Sequence, residues 1–330
     1  MVGAGSVMAA AHLPAALSST TVQVVALVDP TVERASRLAH EFGISPRVTE
    51  TVGEILPEID GAVIATPNHT HCELALECIE AGVSCLIEKP LATSVSEGEA
   101  IIRAAEQHRI TVAVSYPFRF VGSVPLMRTL LESQHFGKLR RFAYQVGTRG
   151  GWAPVSGYNL DRRSAGGGVL VVTGTHFLDQ LLYWFGYPDD FEYQDDSLGG
   201  PEANALAVFR YSNSGSTFEG MARFSKTVPL KEGIVMETAQ GIVIVRDGIR
   251  FRPRAQPSLE ILLQRRSGNQ QPSQKGMFQL QLEDFVAACR EKREPMVSAR
   301  QGLESLRLIE ALYSRRSPMK TDGYRFDFKR

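Results

Sequence analysis

Two residues far apart in the chain carry side chains suited to exchanging a proton with a hydroxyl or a carbonyl: Lys89, within Glu88-Lys89-Pro90, and His176, two residues after Gly174. A lysine partly desolvated in a cleft can hydrogen-bond a reacting oxygen and have its pKa lowered enough to trade the proton. The same lysine also reads as an ordinary surface cation after a strand. A neutral histidine suits the base that hydride removal from an alcohol requires, although a lone histidine often only packs. Asp179 follows at i+3, placed to orient that ring or bind a substrate hydroxyl. Near the N-terminus, Gly3-Ala4-Gly5-Ser6-Val7-Met8 has the spacing of a dinucleotide loop. Its first glycine permits the tight strand-to-helix turn, and its second lets the backbone approach a pyrophosphate at the helix N-terminus. Met8 stands where a small residue usually lies, so the helix is expected to shift outward. Asp29 ends the next strand, placed to accept hydrogen bonds from ribose hydroxyls and to repel a 2′-phosphate, which favours NAD over NADP.

The segments that must position these groups alternate in type. Apolar runs at 22–28, 61–66, 83–87 and 110–115 read as buried strands, and the stretches 32–42, 74–81 and 96–108 as helices, with a short helix opened by Thr51-x-x-Glu54. This predicts a doubly wound parallel sheet of the Rossmann kind. Lys89 and Thr66-Pro67-Asn68 then lie at carboxyl ends of strands, the edge where ligands bind. Backbone or amide contacts from Thr66, Pro67 and Asn68 to the nicotinamide half are expected there, a plain loop and cap being the other reading. His69-x-His71 has no third partner for a metal, and His71 is expected to open the next helix.

Beyond residue 120 the pattern changes. A helix near 124–133 precedes β-like segments at 139–146, 203–211, 216–224, 234–238 and 241–245, which predicts a second, α+β domain with a largely antiparallel open sheet. Residues 253–276 read as an exposed loop, and helices at 277–290 and 301–314 are expected to pack back toward the first domain. The division expected is 1–120 and 121–330. Arg119, Trp152 and Arg163 fall in segments expected to face the cleft, though ion pairing or core packing suits them equally. Only Met1 and Val2 precede the loop, whereas the strand before it is central in this topology. Losing three or four buried side chains there would forfeit about 5–12 kcal/mol, so the natural chain is expected to begin upstream.

Composition narrows the classes. The chain has 330 residues, with 36 Lys and Arg balanced by 36 Asp and Glu, and it is 43% hydrophobic. That balance lacks the basic surplus of nucleic-acid binders. No run approaches the roughly 18 apolar residues of a membrane span and no leader is evident, so a cytoplasmic protein without membrane or nucleic-acid partners is expected. Cys72, Cys78, Cys85 and Cys289 form no CxxC pair, and neither disulfides nor zinc are expected.

The loop Gly3-Ala4-Gly5, the acid Asp29, the stretch Ala65-Thr66-Pro67-Asn68-His69-Thr70-His71, the triplet Glu88-Lys89-Pro90, and Gly166-Gly167-Gly168 followed by Gly174-x-His176 together resemble the Gfo/Idh/MocA oxidoreductases over nearly the whole chain. The resemblance implies an NAD-dependent, less readily NADP-dependent, oxidoreductase of sugars, cyclitols or polyols that forms a homo-oligomer, a dimer or tetramer. It makes Lys89 and His176 catalytic. Gly3, Gly5, Ser6, Val7, Asp29, Thr66, Pro67, Asn68, His71, Glu88 and Lys89 would then line the cofactor; Lys89, Arg119, Trp152, Arg163, His176 and Asp179 would line the substrate. One departure stands out: the family commonly has an aspartate four residues before the histidine, and this chain has Val172. Two other readings follow, a transient-redox enzyme that eliminates, isomerises or cleaves a bound sugar, and a catalytically silent nucleotide- or sugar-binding regulator.

Overall fold

The computed structural model describes residues 1–149, 157–213, 216–246, 248–263 and 274–319. Five strands form a parallel layer: β1 (Ala26–Val28) beside β2 (Arg47–Thr49), and β3 (Gly61–Ile64), β4 (Ser84–Glu88) and β5 (Val112–Ser115) side by side. Met1–Gly3 lies between the two groups. Val2 bridges both Val28 and Ile64, its N–H donating to Val63 O (2.8 Å) and its carbonyl accepting from Ala65 N (2.8 Å). The central slot is therefore occupied by Met1–Gly3. Pairing along the neighbouring strand accordingly starts at Ala26, whose carbonyl accepts from the Met1 ammonium, and the strand expected at 22–28 is confined to 26–28.

The helices around this layer are α1 (Leu13–Ser18), α2 (Val32–Glu41), α3 (His71–Glu80) and α4 (Val95–His108). Ser94 and Glu97 cap α4 reciprocally, as their spacing requires. α1 is entered through a π-turn, Met8–His12. Met8 is wholly buried in a cluster with Leu27, Val63 and Leu86, and the wider turn makes room for a side chain where a small residue usually packs. The helix expected from Thr51 is instead a turn: Thr51 N and Oγ1 both donate to Glu54, and the chain passes into a single 3₁₀ turn, Leu56–Glu58, around Pro57.

Nine strands form a second sheet, β6 (Leu139–Gly147), β7 (Asp190–Asp195), β8 (Asn204–Asn213), β9 (Ser216–Ser225), β10 (Leu230–Thr238), β11 (Gly241–Val245), β12 (Ile249–Pro253), β13 (Ile261–Leu263) and β14 (Arg316–Pro318). Their order is β13-β12-β11-β10-β6-β9-β8-β7-β14, antiparallel except for β6/β9 and β7/β14. Alternation along the strands turns Phe142, Tyr144, Phe209, Phe224 and Ile234 to one face, where they bury with residues of α5 (Ser123–Glu132) and α7 (Thr175–Phe185). A short α6 (Arg162–Ala165) precedes α7. Of the last two helices, α8 (Gln274–Glu291) buries Leu282 and Phe285 in the Met8 cluster of the first layer. α9 (Ala299–Ser314) divides its apolar residues: Leu303 and Leu306 join the core of β3, β4 and β5, while Leu308, Ile309 and Leu312 join the core of the second sheet.

Candidate active site

The phosphate loop has the shape its glycines imply. Gly3 takes φ +90°, and a Cβ there would lie 2.6 Å from the Ala65 carbonyl oxygen, so only glycine lets the loop press against β3. A Cβ on Gly5 would meet nothing within 4 Å, so the start of the helix is open there. Ser6 and Val7 are half-buried beside it, Val7 packing on Phe278. Asp29 stands at the end of β1 as expected, 3% exposed, and accepts a hydrogen bond from Ala4 N at 2.9 Å.

Lys89 follows β4, across a cis peptide from Pro90. Its ammonium donates to the Val172 carbonyl at 2.9 Å, so it reaches from the first layer into the segment that precedes α7. Burial lowers the Lys89 pKa, Glu88 opposes the fall and Lys226 adds to it. Glu88, expected at the cofactor, instead spends its carboxylate inside the domain, because Oε1 meets His12 Nε2 at 2.7 Å and accepts from Ser115 Oγ at 2.8 Å. Gln281 Nε2 donates to that hydroxyl at 2.9 Å. Burial pushes the Glu88 pKa up, but the bond to and charge of His12, with Lys89 and Ser115, outweigh it and hold the carboxyl at about 2. His12, Ser115 and Gln281 are functional neighbours that sequence reasoning missed. Only His12 left a signal, a histidine in the first turns after a phosphate loop.

The other wall carries His176 near the start of α7, after the π-turn Leu170–Gly174 that includes Val172. Its ring lies against Tyr116 and Phe118, at centroid distances of 5.9 and 5.1 Å. Burial first, then the Lys89 ammonium, depress its pKa to about 3 against the pull of Glu88, so the ring is neutral over the physiological range. Nδ1 is buried without a hydrogen-bond partner. The glycines before this segment serve packing rather than ligand approach: a Cβ on Gly168 would collide with the backbone of Glu202, and one on Gly167 with the Tyr313 hydroxyl. Glu202, buried, accepts from Gly168 N (3.0 Å), Leu170 N (2.9 Å) and Tyr313 Oη (2.8 Å) and so fixes the entry to the π-turn. No sequence motif announced it.

Several expected ligand contacts are turned to other uses. Asp179 has both oxygens held by Arg119, at 2.6 and 2.7 Å, with both residues almost fully buried. This fork stands in place of the expected substrate contacts, since a carboxylate held at both oxygens and almost fully buried has no exposure to offer. Asn68 donates to the Ala165 carbonyl at 2.7 Å and ties the loop after β3 to α6 rather than turning its amide to a nicotinamide. His71 opens α3, but its fully buried ring lies between the Pro90 (2.9 Å) and Thr66 (3.1 Å) carbonyls, pinning the two strand-end loops together instead of meeting a cofactor. Thr66 and Pro67 are half-buried at the end of β3. Arg163 is exposed on α6, lining a surface cavity of about 590 Å³ with Arg162 and Thr93. Trp152 lies outside the described residues. Among the described residues no cluster of His, Cys, Asp and Glu could hold a metal, and no helix is long and apolar enough to cross a membrane.

Comparison with known proteins identifies the family and the fold. The family model described as oxidoreductase family, NAD-binding Rossmann fold matches residues 1–116, and that described as oxidoreductase family, C-terminal alpha/beta domain matches residues 128–227. The rhizopine catabolism protein MocA of Rhizobium meliloti is 28% identical over 323 residues, 94% of this chain and 92% of that one. In fold, the chain is similar to an oxidoreductase domain protein from Kribbella flavida (TM-score 0.81, 21% identity, 95% of each chain). It is equally similar to levoglucosan dehydrogenase in complex with NADH and levoglucosan (TM-score 0.81, 20% identity, 95% of each chain).

Proposed function

The chain belongs to the Gfo/Idh/MocA oxidoreductase family, and from that premise we propose that its cleft interconverts a secondary alcohol and a ketone on a sugar, cyclitol or polyol, with NAD as the partner. The observation that carries the reading is the meeting of Lys89 Nζ with the Val172 carbonyl, which brings the lysine of one layer to the histidine-bearing segment of the other. Gly3, Gly5 and the adjacent helix start would hold the pyrophosphate, and Asp29 the adenosine ribose. The nicotinamide, when bound, supplies the hydride acceptor or donor. Lys89, its pKa lowered by burial, hydrogen-bonds the reacting oxygen and holds or releases its proton. His176, neutral, takes that proton in the oxidising direction and returns it in the reducing one.

A second reading is favoured by one observation. Val172 leaves His176 Nδ1 without a partner, which suits a silent binder or an enzyme that redoxes its sugar only transiently. One experiment separates the three. The full chain is titrated with NADH, then incubated with sugars, inositols and polyols under NAD and NADP, following absorbance at 340 nm and analysing products. Net NADH formation supports the dehydrogenase; product without net NADH supports transient redox. Binding with no product from any substrate supports the silent binder.

The homo-oligomer has a surface to form on. On the face of the second sheet opposite α7, Ile244, Val235, Ala143, Met221 and Val208 are consecutive cross-strand partners, all half-buried, making an apolar row over five strands. The parallel row Glu237, Arg141, Glu219, Arg210, Asp190 alternates in charge, which is self-complementary in a face-to-face pair. Val235→Arg is expected to convert a dimer to monomer by sedimentation; a monomeric parent chain would end this proposal. Its four cysteines, all free thiols, suit a reducing compartment such as the cytoplasm.

A further inference from the structure

The helical segment that carries His176 begins at the π-turn and continues without a break into α7, over residues 170–185. The N–H groups at such a start have no acceptors within the helix and must find them elsewhere. Here one residue supplies them. Glu202, between β7 and β8, accepts from Gly168 N at Oε2 (3.0 Å), from Val169 N at its backbone carbonyl (2.8 Å) and from Leu170 N at Oε1 (2.9 Å). Its side chain is buried, and a negative charge at a helix start is favourable in itself. Tyr313 Oη, on α9, donates to the same Oε1 at 2.8 Å. The approach is close at the backbone too, because a Cβ on Gly168 would lie 2.1 Å from the Glu202 carbonyl oxygen.

What this cap holds in place is the acceptor that Lys89 uses. Val172 N donates to the Gly168 carbonyl at 2.9 Å, so the residue whose own carbonyl meets Lys89 Nζ at 2.9 Å hangs from a glycine that Glu202 fixes. His176 follows on the same helical segment. We propose that Glu202 is a positioning residue for the proton-handling pair: by capping this segment it sets Val172 against Lys89 and the His176 ring against Tyr116 and Phe118. A carboxylate is required. Whichever way a glutamine amide is turned, its Nε2 donors would face the N–H of Gly168 or of Leu170, donor against donor. This inference rests on the reading that Lys89 and His176 exchange the proton.

The test compares Glu202→Gln with Tyr313→Phe, which removes one bond to the same carboxylate and leaves both of its bonds to backbone N–H groups. Three readouts are followed on the full chain: steady-state kinetics, NADH binding by calorimetry, and nitrogen NMR of the His176 ring without ligand, assigned with His176→Gln. Glu202→Gln should lower kcat by about tenfold or more, the scale of a small misplacement of reacting groups, with KM and NADH affinity within about threefold of the parent; Tyr313→Phe should keep kcat within about threefold. The ring is neutral because it is buried, and a displaced segment admits water. It should therefore stay neutral down to about pH 5 in the parent and in Tyr313→Phe, and be partly protonated there in Glu202→Gln. Glu202→Asp, one methylene short, should fall between parent and Gln variant in both kcat and ring protonation, and it decides the question if the Gln chain does not fold. A ring as neutral in the Glu202 variants as in the parent, or a Tyr313→Phe chain altered as much as Glu202→Gln, overturns the role of Glu202. A parent chain that turns over no substrate, with the ring responding as stated, overturns the dehydrogenase reading and leaves the positioning by Glu202 standing.

Discussion

The two walls of the cleft are built on opposite principles. Behind Lys89, the Glu88 carboxylate sits in a closed chain through His12, Ser115 and Gln281, and opposing charge keeps it ionised although buried. Around His176 the surroundings are aromatic, and a buried nitrogen has no partner. The first wall pairs its titratable groups with one another, although Gln281 Oε1 at the end of that chain is buried without a partner; the second leaves a nitrogen of its titratable ring unpaired. Buried polar groups are costly unless satisfied, so the paired carboxylate reports on stability and the unpaired ring on chemistry.

That contrast can be broken in graded steps. Lys89→Ala should lower turnover by about a thousandfold or more while NADH affinity stays within about threefold, since the proton-handling group is lost and the phosphate loop is untouched. Steady-state kinetics beside calorimetric binding checks it, and lost binding with turnover retained would reverse the assignment. His12→Phe strips a buried carboxylate of its partner and should cost about 3 kcal/mol of stability in urea unfolding, the usual scale for breaking a buried charged pair. If the midpoint does not move, the closed chain is not what holds this wall. Val172→Asp is the smallest step and acts on the open wall. An acid there raises the His176 pKa from about 3, so the acid limb of the kcat profile should move up by a unit or more, with turnover rising by about tenfold. An unmoved limb would mean that His176 does not handle the proton.

The same two groups divide the acid response of the fold. His176 has its folded pKa depressed, so its stabilising effect is complete above the ordinary histidine value and is lost as pH falls toward about 3. Glu88 is also depressed, from 4.5 to about 2, and its contribution is lost through that lower window. Thermal midpoints should therefore decline first through the window of the buried histidines, His176 together with His71, whose pKa burial also lowers, and Val172→Asp should soften the part of that early decline that belongs to His176.

The parallel layer was legible in β1, β3, β4 and β5, which are largely buried, and in helices with local signals, Ser94 with Glu97 for α4 and a glycine after α2; β2, three residues with Arg47 exposed, gave no such run and was missed. The second sheet was legible only in its middle. β7 and β12 mix charged with apolar residues, and β13 and β14 are three residues long, so propensity says little about them. At the site, Lys89, His176 and Gly3 stand out by motif. What stayed hidden were partnerships across large separations: Asp179 with Arg119, Asn68 with Ala165, Glu88 with His12, and Gly168 with Glu202. Asp179, Arg119, Asn68 and Glu88 each advertise a ligand until the fold supplies an internal partner, whereas Glu202 advertises nothing.

α9 gives four leucines and an isoleucine to the two cores, Leu303 and Leu306 to one and Leu308, Ile309 and Leu312 to the other. A rod anchored at both ends transmits torque. Any opening of the cleft must either bend α9 or carry one core's packing along with it, so the hinge is stiff at the back and compliant at the front. The same rod couples the two cores in melting, and a single calorimetric transition is the signature to look for.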